Sequence, residues 1–117
     1  MARIKRAQIR KTRLKNLAKA SSGFTGGRAR LRQAKAHVRR AQVFAFEGRK
    51  QRKRQFRSLW IQRIAAALMP HGISYSRFIH GLGLAGIGLD RKQLAALAVD
   101  EPAAFDAVVG QVRGALG

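Results

Sequence analysis

Apolar residues recur at helical spacing mainly in the second half of the chain. Phe56, Leu59, Trp60, Ile64, Ala67 and Leu68 follow one another at steps of three and four, the signature of a helix with one covered face. Pro70 and Gly72 predict where that helix stops. Ser74 predicts the cap of a second helix carrying Tyr75, Phe78, Ile79 and Leu82 on one side. Asp90 with Gln93 forms a capping box that opens a third, with Leu94, Leu97 and Ala98 facing inward. Asp100, Glu101 and Pro102 are expected to open a fourth, striped with Phe105, Val108, Val109 and Val112. About a dozen large apolar side chains, at roughly 1.5–3 kcal/mol each, offset the entropy of ordering only narrowly. A small, modestly stable helical domain is therefore expected over residues 58–117.

The first half follows a different rule. From Arg28 to about Met69 there is no proline, and Gly48 is the only glycine. Ala, Arg, Gln, Lys and Leu dominate, and all favour helix. A thin apolar seam runs through Leu31, Ala34, Val38, Ala41 and Ala45, beside a basic stripe of Arg28, Arg32, Lys35 and Arg39. At residues 48–57 (GRKQRKRQFR) basic residues cover nearly the whole circumference, leaving no side for a protein core. A helix of about 40 residues is about 60 Å long at 1.5 Å per residue, with Gly48 a candidate break. In residues 1–20 the apolar positions Ile4, Ile9, Leu14 and Leu17 share no period. That stretch reads as an extended or irregular arm that gains helical turns on binding. Ser21–Gly27 (SSGFTGG) reads as a bend, in which Phe24 either stacks on a base or is partly buried in a plain linker. The fold class expected is all-α: a long basic arm and extended helix, then a small helical domain.

Charge sharpens the contrast. The 117 residues hold 25 Lys and Arg against 5 Asp and Glu, a net of +20. Residues 1–57 carry 20 of those basic residues and one acid, Glu47, for a net +19; residues 58–117 carry 5 basic and 4 acidic, for +1. A segment of +19 repels itself, so its folded state is expected to be the one bound to a polyanion. The first residues, MARIKR, lack a myristoylation glycine, no apolar run reaches the length of a spanning helix, and no secretory signal pattern is present. A transit peptide is also basic, but here the basic character persists for 57 residues. With no cysteine there is no disulfide framework or Cys-ligated metal. Nucleic acid is the leading partner by elimination.

No constellation suited to catalysis emerges. Gly81–Gly86 (GLGLAG) matches a dinucleotide fingerprint, but that motif needs a preceding strand, and an interhelical loop is expected instead. His37, His71 and His80 have no ligand partners at metal spacing. Asp90, Asp100, Glu101 and Asp106 are expected at helix starts, as caps and dipole partners. No catalytic residue, metal site or cofactor is assigned. The basic helix carries the functional signal: an ordinary solvated face would intersperse Glu for i,i+4 pairs, and its Arg-rich charge suits bidentate phosphate contacts. Without a helix-turn-helix, zipper or zinc finger, folded RNA fits better than DNA. A DNA-compacting or regulatory nucleic-acid-binding protein is the second reading.

KQRKRQFRSLWIQRI (Lys50–Ile64), GISYSRFIHGL (Gly72–Leu82), AGIGLDRKQLAALA (Ala85–Ala98) and DEPAAF (Asp100–Phe105) resemble the bacterial-type large-subunit ribosomal protein twenty family. The similarity runs in register over nearly the whole chain, and Lys53, Arg57, Leu59, Trp60, Ile61, Arg63 and Ile64 form its most specific block. The resemblance implies a basic N-terminal extension buried in large-subunit ribosomal RNA (rRNA), an early role in subunit assembly, and neighbouring large-subunit proteins as partners. It places the chain in the ribosome, cytoplasmic or organellar, with no membrane and no small-molecule substrate. In some members the C-terminal domain also binds its own messenger. Carried over by position, the rRNA-binding residues are Arg3, Lys5, Arg6, Arg10, Lys11 and Arg13 in the arm. In the bend and rod they are Phe24, Arg28, Arg30, Arg32, Arg39, Arg49, Arg52, Lys53, Arg54, Arg57 and Arg63. Gly83 and Leu84 depart from a pair that is often lysine in the family, which lowers the charge of the C-terminal region.

Overall fold

The computed structural model describes residues 6–27 and 29–117. The order is α1 (Arg6–Ala20), α2 (Leu31–Leu68), a 3-10 turn (Met69–His71), α3 (Tyr75–Leu84), α4 (Arg91–Asp100) and α5 (Pro102–Leu116), with no strand among the described residues. The all-α expectation holds. The chain divides into two units, Met1–Lys50 and Gln51–Gly117, and α2 contributes to both.

The expected irregular arm is helix from Arg6 onward, which corrects the sequence reading. None of the residues of α1 is buried, so packing does not explain it. Its 15 residues contain no Gly or Pro and are mostly Arg, Lys, Ala, Leu and Gln, and their summed propensity is sufficient. Periodicity reports a buried face, and a helix without one leaves no such trace. α1 ends where Ser21 N–H donates to Leu17 O at 2.9 Å and the buried Ser21 hydroxyl donates to Ala18 O at 3.3 Å. A turn follows through Gly27, as the sequence predicts.

α2 runs unbroken for 38 residues, through Gly48. One glycine costs about 1 kcal/mol relative to Ala in a helix interior, too little to break a run of strong helix formers. The expected apolar seam is mostly absent: Ala34 is buried and Val38 half-buried, whereas Leu31, Ala41 and Ala45 are exposed. Phe56 and Leu59, expected in the core, are also exposed, and packing begins at Trp60. The all-round basic stretch is exposed at every residue from Gly48 to Arg57, as expected.

The second unit holds one core of Ile64 and Leu68 from α2, Phe78 and Leu82 from α3, Leu94 and Ala95 from α4, and Phe105, Val109 and Val112 from α5. Phe78 and Phe105 meet with ring centroids 5.7 Å apart and a tilt of 43°, within the favoured range for aromatic pairs. The stop and start signals lie where the sequence puts them. Gly72 takes a left-handed φ of 64° and its N–H closes the 3-10 turn on Met69 O; a side chain there would be strained. Ser74 Oγ accepts from Arg77 N–H at 3.4 Å. Asp90 Oδ1 accepts from Gln93 N–H at 2.8 Å while Gln93 Oε1 accepts from Asp90 N–H at 2.9 Å.

Two expectations about this unit are corrected. Of the four acids assigned to helix starts, only Asp90 caps with its side chain. Glu101 stands at the start of α5 as expected, in the N-cap position, but makes no side-chain cap bond; Asp100 is the last residue of α4, and Asp106 lies beyond the first turn of α5. Pro102 opens α5 with its φ preset and no N–H to satisfy, so no acid is needed. The expected loop at Gly81–Gly86 is largely helix: α3 continues to Leu84 and only then turns.

Gly81 explains why that motif carries glycine. It is buried, and a Cβ on it would lie 2.5 Å from Val112 Cγ1 and 3.0 Å from Leu116 Cγ, so the missing side chain lets α3 and α5 close. Gly110, on the exposed side of α5, faces open space. Gly81→Ala is therefore expected to lower the stability of the chain by about 1–3 kcal/mol through overpacking. Gly110→Ala is expected to raise it by up to about 1 kcal/mol through helix propensity. Urea unfolding followed by circular dichroism measures both, and two shifts of the same sign would contradict the packing account.

Candidate nucleic-acid interface

The cations of α1 and α2 project into solvent on both sides of the division after Lys50. On α1, Arg6, Arg10, Lys11 and Arg13 are exposed; Arg30 is exposed just ahead of α2. On α2, Arg32, Arg39 and Arg49, and farther along Arg52, Lys53, Arg54, Arg57 and Arg63, are exposed too. Arg3, Lys5 and Arg28 lie outside the described residues. Phe24 is half-buried in the turn, closer to the linker reading than to a free stacking ring.

Among the described residues the one ion pair joins His71 to Asp106, so no Lys or Arg of α1 or α2 has a carboxylate partner. These charges are left for an external anion. Spacing along the helix distributes them in all directions: at about 100° per residue, Arg52, Lys53, Arg54 and Arg57 cannot share a face. Such an array suits a polyanion that surrounds the helix better than a flat surface lying on one side.

Within the first unit, α1 and the start of α2 line an open cleft of about 1040 Å³. Ile9, Leu14, Leu17 and Leu31 supply apolar walls, and Arg6, Arg10, Arg13 and Lys35 add cations. The aliphatic stems of Arg and Lys extend such walls while their heads stay in water. The mixture suits sugar and phosphate more than a buried small molecule.

Sequence reasoning assigned no RNA contact to several members of this surface, although it placed Lys35 in the basic stripe and Lys50 in the all-round basic run. Lys15, Lys19, Lys35, Arg40 and Lys50 are exposed on the same two helices. It also missed Phe44 and Phe46, which stand in the open with cations over their rings: the Arg40 guanidinium carbon is 5.6 Å from the Phe44 centroid and Lys50 Nζ is 4.2 Å from that of Phe46. Each such contact contributes about 0.5–1 kcal/mol at an exposed site. The signal was available, since each cation lies four residues from its ring.

The second unit carries fewer cations, and some are engaged. Arg91 Nε donates to Tyr75 Oη at 2.9 Å, and Arg113 donates to the carbonyl of His71. His71 Nε2 meets Asp106 Oδ1 at 2.8 Å, a contact the sequence hides because 35 residues separate the two. It ties α5 to the turn that ends α2. Among the described residues no cluster of His, Asp or Glu could hold a metal ion, and no helix is long and apolar enough to cross a membrane.

Two basic helices free of acidic partners, joined to a small helical core, match the architecture implied by the sequence resemblance. The family profile described as Ribosomal protein L20 matches residues 3–108. This chain belongs to the ribosomal protein L20 family. Among its relatives, the "Large ribosomal subunit protein bL20" of Afipia carboxidovorans is 50% identical over 117 residues, covering 99% of this chain and 98% of the relative. The protein of the same name from Rubrobacter xylanophilus is 51% identical over 99% of this chain and 88% of its own length. That from Bradyrhizobium diazoefficiens is 48% identical over 99% and 98%. L20 proteins are structural ribosomal components and not enzymes.

Proposed function

We propose that this L20-family chain is a structural constituent of the large ribosomal subunit that binds large-subunit rRNA directly and supports early subunit assembly. The observation that carries this is the row of exposed Arg and Lys side chains on α1 and α2, without carboxylate partners among the described residues. Phosphates of RNA segments approaching the helices from different sides neutralise these cations, and in turn the cations relieve the repulsion between those segments. RNA helices that would otherwise stay apart then pack closely around the protein.

The contacting residues are the Arg and Lys carried over by position, from Arg3 to Arg63, without the half-buried Phe24, and with Lys15, Lys19, Lys35, Arg40 and Lys50 added from their exposure on the same helices. The functional extension reaches to about Arg57, past the geometric division after Lys50, because the basic run continues to that point. Residues 58–117, with a net charge of +1, form the small domain that meets neighbouring large-subunit proteins. The work is done in the ribosome, in the cytoplasm.

Competition decides between this reading and DNA compaction. The purified chain is expected to prefer structured large-subunit rRNA to duplex DNA of equal phosphate content, and in lysate to sediment with large subunits. Equal or tighter binding to duplex DNA overturns the proposal.

A further inference from the structure

Three phenylalanines of α2 are exposed; Phe56 meets Trp60 with ring centroids 6.2 Å apart, whereas Phe44 and Phe46 belong neither to the core nor to the charge of the interface. Phe44 and Phe46 are 57% and 54% exposed, an unusual state for rings that an ordinary core would cover. At about 100° per residue, side chains two positions apart leave a helix on nearly opposite sides. Each ring has a cation one turn away, Arg40 over Phe44 and Lys50 over Phe46.

We infer that Phe44 and Phe46 are stacking platforms for unpaired RNA bases, one on each side of α2. This rests on the reading of the basic segment as an rRNA-binding element and adds the class of nucleotide it selects. A protein partner needs a continuous apolar stripe on one face; these rings diverge, and Val43, exposed one turn before Phe46, adds a single apolar position to one side. Arg39, Arg40, Arg49 and Lys50 surround them, with Glu47 the one acid of the segment. The charge complementarity therefore favours a polyanion that passes on both sides.

The geometry also supplies both halves of a nucleotide site. A base offers a flat π-face to a phenyl ring whatever its identity. Its phosphate is an anion, and Arg40 and Lys50 each sit over one face of their ring, so the base takes the other face. In a duplex the base faces are hidden within the stack, whereas loops and bulges can splay bases onto aromatic side chains. The platforms therefore select unpaired or bulged nucleotides without reading their sequence.

The test uses the full chain and two RNA duplexes of equal length, one fully paired and one with an internal loop of unpaired adenines. The wild type is expected to bind the looped RNA about tenfold more tightly than the paired one. The double variant F44L/F46L keeps apolar bulk and helix propensity but removes both rings. It is expected to lose about tenfold or more on the looped RNA, with unchanged affinity for the paired RNA and an unchanged salt slope. F44Y/F46Y is expected to restore binding, and circular dichroism to show equal helix content in all three proteins.

Equal loss on both RNAs, or no loss on either, overturns the stacking inference. So does unchanged RNA binding accompanied by lost binding of another large-subunit protein, which assigns the rings to a protein neighbour. Wild-type protein that binds neither RNA defeats the rRNA-binding reading itself and the inference with it.

Discussion

Affinity of the chain for large-subunit rRNA is expected to fall by about 10³-fold or more as salt rises from about 50 to about 200 mM, the behaviour of a protein making about 6–10 phosphate contacts. The exposed cations of α1 and α2 can supply that many without recruiting α3, α4 or α5. Among the described residues they have no carboxylate partner, so binding RNA breaks no ion pairs there and the full release of counterions appears in the slope. Replacing Arg49, Arg52, Arg54 and Arg57 by Gln should flatten the slope by about one for each phosphate contact removed, while the preference among RNA sequences stays the same. Filter binding across a salt series reads both effects. A wild-type slope near zero would show that phosphate neutralisation is not what holds the protein to RNA.

The second large effect concerns stability. Phe105→Ala removes a side chain that is 1% exposed and packed on Phe78. Truncating a buried Phe costs about 3–5 kcal/mol. A core formed by a unit of this size rarely supplies more than about 3–5 kcal/mol in total. The variant should therefore lose the cooperative thermal transition of the second unit, followed through the fluorescence of Trp60, which packs against that core. A transition within a few degrees of the wild type would mean that the core is sustained by something other than the Phe78 and Phe105 contact.

What could be read from the sequence follows from which physical signals leave a local trace. Ser74 and the Asp90–Gln93 box were legible because caps act over three residues. Phe78, Leu82, Phe105, Val109 and Val112 were legible because burial imposes a period. α1 was not, because a helix with no buried face has propensity but no period. Ala41 and Ala45 had the spacing of a seam without the partner to make one, and they are exposed. Asp106 looked like a helix-start acid because its partner, His71, lies 35 residues away. At the interface the charge of individual residues was plain in the sequence, whereas the openness of Phe44 and Phe46 was not: a phenylalanine is ordinarily assigned to a core until the structure shows none beside it.

The placement of the core has a consequence for how the protein is made. Its packing needs Ile64 and Val112 together, and translation delivers the first long before the second. Domains fold once the residues they require have left the ribosome. Nearly all of the positive charge thus emerges ahead of any globular body, as a nascent strand able to adhere to whatever transcript is nearby. Ushering of that strand during synthesis, rather than the folding that follows, becomes the hazardous step in its production.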